Sequence, residues 1–137
     1  MKVLTGDAYE LHAIAADVPH GEDVTGLVDA MTAAMTAAGG IGLAGNQLGV
    51  LKRVIVVRAP KFKGCIVNPV ITRHTSGHVN SREGCLSFPG KTVDKKRHNK
   101  ITVEGFDAHW QPIKVEAKGL TAFCIQHEID HLNGVTI

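Results

Sequence analysis

Apolar and polar positions follow three rhythms along this chain. Over residues 23–38 the apolar positions Val24, Leu27, Val28, Met31 and Met35 recur every three to four residues, with alanines between them. That period predicts a helix, and Gly39-Gly40 is its stop. At residues 52–58 the rhythm changes to an unbroken β-branched run, Val54-Ile55-Val56-Val57, which predicts a buried strand. A turn over residues 60–64 leads to a second strand at Cys65-Ile66-Val67, broken at Asn68-Pro69 and resumed at Val70-Ile71. Residues 72–82 are polar and turn-rich, a solvent-facing stretch holding His74 and His78. Residues 101–106 alternate as a half-buried strand does; Asp107-Ala108-His109 turns the chain, Trp110 packs over its edge, and residues 113–117 form the hairpin partner. Near the start, Val3 and Leu4 read as a short edge strand, and His12, Pro19 and His20 as surface loop.

The last rhythm is helical again, over GLTAFCIQHEIDHLNG at residues 119–134. Projected at about 100° per residue, Leu120, Phe123 and Cys124 flank the stripe that carries His127 and His131. Ala122, Ile125, Ile129 and Leu132 cover the opposite side, and only Gln126, Asp130 and Asn133 make a polar strip. A helix apolar around most of its circumference is buried. The order helix, strands, helix predicts an α+β fold: mixed, mainly antiparallel sheets packed around a central C-terminal helix, with one helix before them.

Composition narrows the class. A length of 137 residues predicts one domain over residues 1–137. Apolar residues at 44% and charged residues at 20% exclude a disordered chain. A formal charge of +2 is too small to argue for nucleic acid, and DNA is not an expected partner. No run of 18 apolar residues is present, so no membrane helix is expected. Asp7 and Glu10 interrupt the N-terminus, which does not read as a signal peptide. Three cysteines, an odd number, point to a reducing compartment. Cys65 and Cys124 have apolar neighbours and read as small core residues.

Candidate chemistry begins with His127-Glu128-x-x-His131. Two imidazoles four apart on a helix share a face and hold one metal ion, and the carboxylate between them handles a proton. A hydrolytic metal site takes a third protein ligand and keeps an open position. Candidates are Cys65, Cys85, Cys124, another histidine or an acid. Cys124 is strained for a metal already held from i and i+4, and Cys85, between Gly84 and Leu86, best fits the need for a strand cysteine. The glycine-rich residues 40–49 lack the lysine of a phosphate loop and follow a helix, so alone they read as a plain turn. Lys91, Lys95, Lys96, Arg97 and Lys100, with Asp94 the one acid among them, read as a solvated loop or a charged edge strand.

Three separated motifs make the chain resemble peptide deformylase. Gly40-Ile41-Gly42-Leu43-Ala44-Gly45-Asn46-Gln47 resembles the family's G-x-G-L-A-x-x-Q. Glu83-Gly84-Cys85-Leu86-Ser87 matches E-G-C-L-S, and residues 126–134 match Q-H-E-x-D-H-L-x-G; Asn68-Pro69 and Arg97 add support. The resemblance implies removal of the formyl group from the N-terminal formylmethionine of nascent polypeptides. It implies Cys85, His127 and His131 as ligands of one divalent ion per chain, ferrous iron in vivo, with zinc, nickel or cobalt able to occupy the site. Glu128 becomes the general base and acid, and Gln47 and the Leu86 N–H the oxyanion donors. Ile41, Gly42, Leu43, Gly84, Arg97, Leu120, Phe123 and Cys124 become substrate contacts.

The same resemblance implies a monomer in the cytoplasm, that of a bacterial host if phage-encoded, with no membrane partner and only transient proximity to the ribosome. Three departures stand out. Gly45-Asn46 predicts a looser Gln47, and Lys95-Lys96 makes the surroundings of Arg97 more basic. Only three residues follow Gly134, which implies a short form lacking the C-terminal helix, as in bacteriophage-encoded members.

Overall fold

A computed structural model describes residues 2–137. Two helices, α1 (Thr25–Ala37) and α2 (Leu120–Leu132), and seven strands follow the predicted order. The strands are β1 (Gly42–Ala44), β2 (Val54–Ala59), β3 (Phe62–His74), β4 (Val79–Cys85), β5 (Phe88–Arg97), β6 (Lys100–Phe106) and β7 (Pro112–Lys118). A five-stranded sheet runs β1-β2-β3-β6-β7, β4 and β5 form a separate hairpin, and every strand ladder is antiparallel.

The β2 strand lies between the two helices. Ile55, Val57 and Ala59 pack in a cluster with Ala122, Ile125, Ile129 and Leu132 of α2. Val54 and Val56, on the other face, pack with Met31 and Met35 of α1. With side chains alternating across the sheet and both faces covered, a continuous apolar run is the expected sequence for this strand. The break at Asn68-Pro69 is a bulge between β3 and β6. Asn68 takes φ of 52° there and ties down the N-terminal segment, its side chain accepting from Val18 N and donating to Val18 O.

Several expectations change. The polar residues 72–82 are not one loop: β3 runs through His74 and β4 begins at Val79. Of the two readings of the basic stretch, the charged strand is correct, because β5 extends to Arg97 with only β4 as neighbour. Val3 and Leu4 join no sheet; Leu4 N donates to Gln47 O instead. The glycine-rich segment becomes β1 and a 3-10 turn over Gly45–Leu48. The implied short form lacking a C-terminal helix is overturned as well. The chain's last element is a helix, α2, it carries both motif histidines, and ten of its thirteen residues are buried. Its apolar face completes the core over β2, so the fold requires it.

Arg53 fastens the end of α2 to the sheet. Its guanidinium donates to Leu132 O at 3.0 Å and Ala15 O at 3.3 Å, and to Asn133 Oδ1 at 2.9 Å. Replacing it removes the bond to Ala15 O and one of the two bonds to Leu132 O at the helix terminus, which keeps only its bond from Ala15 N. Arg53→Ala is expected to lower unfolding free energy by about 2 kcal/mol, read as a lower urea midpoint at unchanged slope.

Candidate active site

The centre is assembled by α2 and the end of β4. His127 and His131, one turn apart, bring their Nε2 atoms to 3.2 Å, and Cys85 Sγ lies 3.2 Å from His131 Nε2. All three ligand atoms fall within 4.8 Å of one another, and no other such cluster occurs among the described residues. Two nitrogen donors sharing a tetrahedral ion at bonds of about 2.0–2.1 Å sit roughly 3.3 Å apart, so the donor set fits one divalent metal. The structure thus brings Cys85, the candidate the sequence favoured, to the two histidines. Cys65 belongs to the core around α1, and Cys124, 6% exposed, directs its thiol toward Ile41 O at 3.5 Å.

Behind the ligands is a chain of buried charge. His127 Nδ1 lies 3.0 Å from Glu83 Oε1, which directs the Nε2 lone pair to the metal position. Arg97 grips Glu83 in two bonds, at 2.9 and 2.7 Å, and also reaches Asp130; Ser81 Oγ donates to Glu83 Oε2 at 2.7 Å. Burial pushes the Glu83 carboxyl up, but the bonds from Arg97, His127 and Ser81 outweigh it and hold the group well below the carboxylate range. As proton acceptors the two ligand rings are opposed. Burial lowers His127, yet hydrogen bonds with Cys85 and Glu83 lift it to about 10, while burial and the charge on His127 pull His131 down to about 3.

Glu128 is 4% exposed, and its Oε1 has no hydrogen-bond partner. Burial is the largest influence and raises its pKa to about 7. It sits against β1 so closely that a Cβ on Gly42 would lie 2.5 Å from Oε2 and 2.8 Å from Cys124 Sγ. Glycine at this position is therefore a matter of space. At Gly45 a Cβ would meet the Lys52 and Val50 carbonyls at 2.7 Å. Asn46 is fully buried and donates to Glu10 O and Ala13 O, at 3.1 and 2.9 Å. The Gly45-Asn46 pair is thus packed and bonded, contrary to the looseness expected. Gln47 is correspondingly held: its Oε1 accepts from Ala44 N, and its Nε2 donates to Ser87 Oγ at 3.1 Å and points at Cys85 Sγ, 3.7 Å away.

These groups open onto a cleft of about 740 Å³. Gln47, Leu86, Gly42 and Gly84 line it with the predicted apolar residues Ile41, Leu120, Phe123 and Cys124. Two predicted contacts lie elsewhere: Leu43 is fully buried in the core against α1, and Arg97, 5% exposed, stands behind the ligands. Sequence reading assigned no role to Glu83, Ser81 or Ser87. Glu83 and Ser87 are signalled by their places in the motif around Cys85, whereas Ser81 has no sequence signal.

An H-E-x-x-H helix completed by a cysteine from a neighbouring strand, with a buried carboxylate beside an open cleft, defines a metal-dependent hydrolase. The comparisons with known proteins agree. Residues 1–137 match the family described as polypeptide deformylase. A peptide deformylase of Thermodesulfovibrio yellowstonii is 45% identical over 84% of this chain and 72% of its own length. The crystal structure of PDF from the Vibrio parahaemolyticus bacteriophage VP16T in complex with actinonin superposes at a TM-score of 1.00, with 77% identity over the whole of both chains. A Met-Ala-Ser-bound class I type b peptide deformylase of Acinetobacter baumannii gives 0.92 at 30% identity, over 99% of this chain and 96% of that one. The chain belongs to the polypeptide deformylase family: it is a metal-dependent amide hydrolase that removes N-formyl groups.

Glu83→Gln tests the buried support. Removing the carboxylate that orients His127 is expected to weaken metal affinity about 10–100-fold, measured by competition with a chelator. The depressed Glu83 carboxyl contributes stability that is present above its ordinary value of 4.5 and is lost as pH falls through its lower native value. The variant should therefore lose less stability than the wild type between neutral and strongly acidic pH in urea titrations.

Proposed function

We propose that residues 1–137 act as one catalytic domain on the N-terminal formylmethionine of nascent polypeptides, releasing formate, with Glu128 as the proton carrier. The observation that carries the assignment of Glu128 is its buried carboxylate, raised to about 7 and lacking a partner on Oε1, one residue from a metal ligand. Cys85, His127 and His131 would hold one divalent ion, ferrous iron in the cell by the family resemblance. Bound there, the metal supplies Lewis acidity toward water and the formyl oxygen.

Glu128 accepts the proton of the attacking water as the new C–O bond forms at the formyl carbon. As the C–N bond breaks, the same carboxyl returns that proton to the departing amine, and the products are formate and a free N-terminus. Charge collects on the formyl oxygen in between, where the Gln47 amide and the Leu86 N–H are assigned as donors. The fixed bonds of Gln47 to Ala44 N and Ser87 Oγ support that role, because a donor already held in place needs no reorganisation during reaction. Ile41, Leu120, Phe123 and Cys124 are assigned to the methionine side chain, and Gly42 and Gly84 to the peptide backbone. Arg97 is assigned to positioning, through Glu83, rather than to substrate contact. Among the described residues no helix is long and apolar enough to cross a membrane. The remainder of this reading is a monomer acting in the cytoplasm, with transient proximity to the ribosome.

Formate release from formyl-Met-Ala-Ser by protein loaded anaerobically with ferrous iron is the test. Turnover is expected in the wild type, with Glu128→Ala reduced by roughly 10²–10⁴-fold; absence of formate from the wild type would sink the reading. Because Glu128 must be ionised to accept a proton, kcat/KM should fall as pH drops through an acid limb. Burial sets the upper bound of that limb at about 7, and the bound cation moves it lower. Gln47→Ala is expected to cost roughly 10²–10³ in kcat while leaving metal content intact.

A further inference from the structure

A second surface, sharing no residue with the catalytic cleft, concentrates positive charge. Lys61, Arg73, Lys100 and Lys118 line a groove of about 640 Å³ with Thr75 and Thr102. All four cations are exposed and none takes part in a salt bridge among the described residues, although Glu116 is also in the lining. Lys100 and Lys118 are direct partners across the β6–β7 ladder. Like charges placed opposite each other on neighbouring strands are destabilising, and an anion between them relieves the cost.

The groove also contains His74, the end member of a stack of three imidazoles. Its ring lies 3.9 Å from that of His98 at an interplanar angle of 19°, and the His78 ring is 4.5 Å from His98 on a tilt of 31°. The central ring is fixed. The His98 backbone exchanges two bonds with the Gln126 amide, at 2.9 and 2.8 Å, and its Nδ1 lies 3.1 Å from Gly77 O. His74 and His78 are exposed, each with one face engaged by His98. The three ligand nitrogens do not converge as a metal cluster does, which leaves the flat faces as the recognisable chemistry.

We propose that this groove and the histidine stack together bind a single strand of nucleic acid, its phosphates on Lys61, Arg73, Lys100 and Lys118 and an unpaired base on the face of His74. A cationic track beside an aromatic platform is the combination that single strands require, since phosphates supply charge and every base supplies a π-face. The overall charge of +2 conceals the site because acids elsewhere offset it.

Fluorescence anisotropy of the intact, metal-loaded enzyme with labelled oligoadenylate RNA, its DNA counterpart, a blunt RNA duplex and heparin tests the proposal. Both single strands should bind, with log K falling against log salt at a slope of about −3, four phosphates at ~0.7 each. Lys100→Gln/Lys118→Gln should weaken binding at least about tenfold near 50 mM salt and flatten the slope by about 1.4. His74→Ala should weaken single-strand binding about tenfold while leaving heparin, which has no bases, unchanged. Both variants should deformylate a short formyl peptide at the wild-type rate, which confirms that they are folded. No binding of either single strand at about 50 mM salt overturns the proposal. So does unchanged affinity in the lysine variant, a His74→Ala effect equal for heparin, or a duplex bound as tightly as the single strand.

Discussion

The buried carboxylate of Glu83 is the contact on which the site depends. It joins β4 to α2 through His127, and it is neutralised by Arg97 at the end of β5, which also reaches Asp130 on the same helix. A lone buried carboxylate is costly, and breaking such a pair leaves an uncompensated charge. Here the cost is offset by four bonds from three side chains, and the return is geometric: one histidine nitrogen is committed, so the other is available to a metal. Because Cys85 lies two residues beyond Glu83 on β4, the same contact also sets the position of the third ligand.

A second constraint couples the core to the chemistry. The α2 helix is held on one side by Ile55, Val57 and Ala59 of β2 and lies on the other against β1, so the face that carries Glu128 cannot recede. Gly42 permits the approach of Glu128, and Gly45 permits the turn that delivers Gln47. These residues act through space rather than through freedom of the backbone. This packing keeps β1 in contact with the Glu128 carboxylate at the edge of the cleft. The stability of the fold and the geometry of the site therefore draw on the same contacts.

Much of this was legible beforehand because periodicity reports burial directly. The helices, the β-branched run of β2, the break at Asn68-Pro69 and the hairpin of β6 and β7 all carry local signals that packing reinforced. The misreadings have a common origin. Residues 72–82 are polar because β4 and the end of β3 pair without a deep core beneath them, so composition alone hid their strands, and for the same reason it left residues 91–100 open between loop and charged strand. Arg97 was placed on the substrate by its family motif, whereas its neighbours place it behind the metal ligands. Gly45-Asn46 read as slack because a buried glycine and a buried, bonded asparagine look in sequence like any turn.

The sequence by itself determined the helix that carries His127, Glu128 and His131, since i and i+4 share a face whatever the surroundings. It also determined the motif that holds Cys85. Only the tertiary structure brought Cys85 up to the histidines, since the approach of its thiol depends on how β4 is carried round to α2. It alone decided that Glu83 orients His127, that Gln47 is locked, and that scattered lysines and three histidines meet on one face. Those are facts of long-range register, and register is set by which side chains pack across strands far apart in the chain.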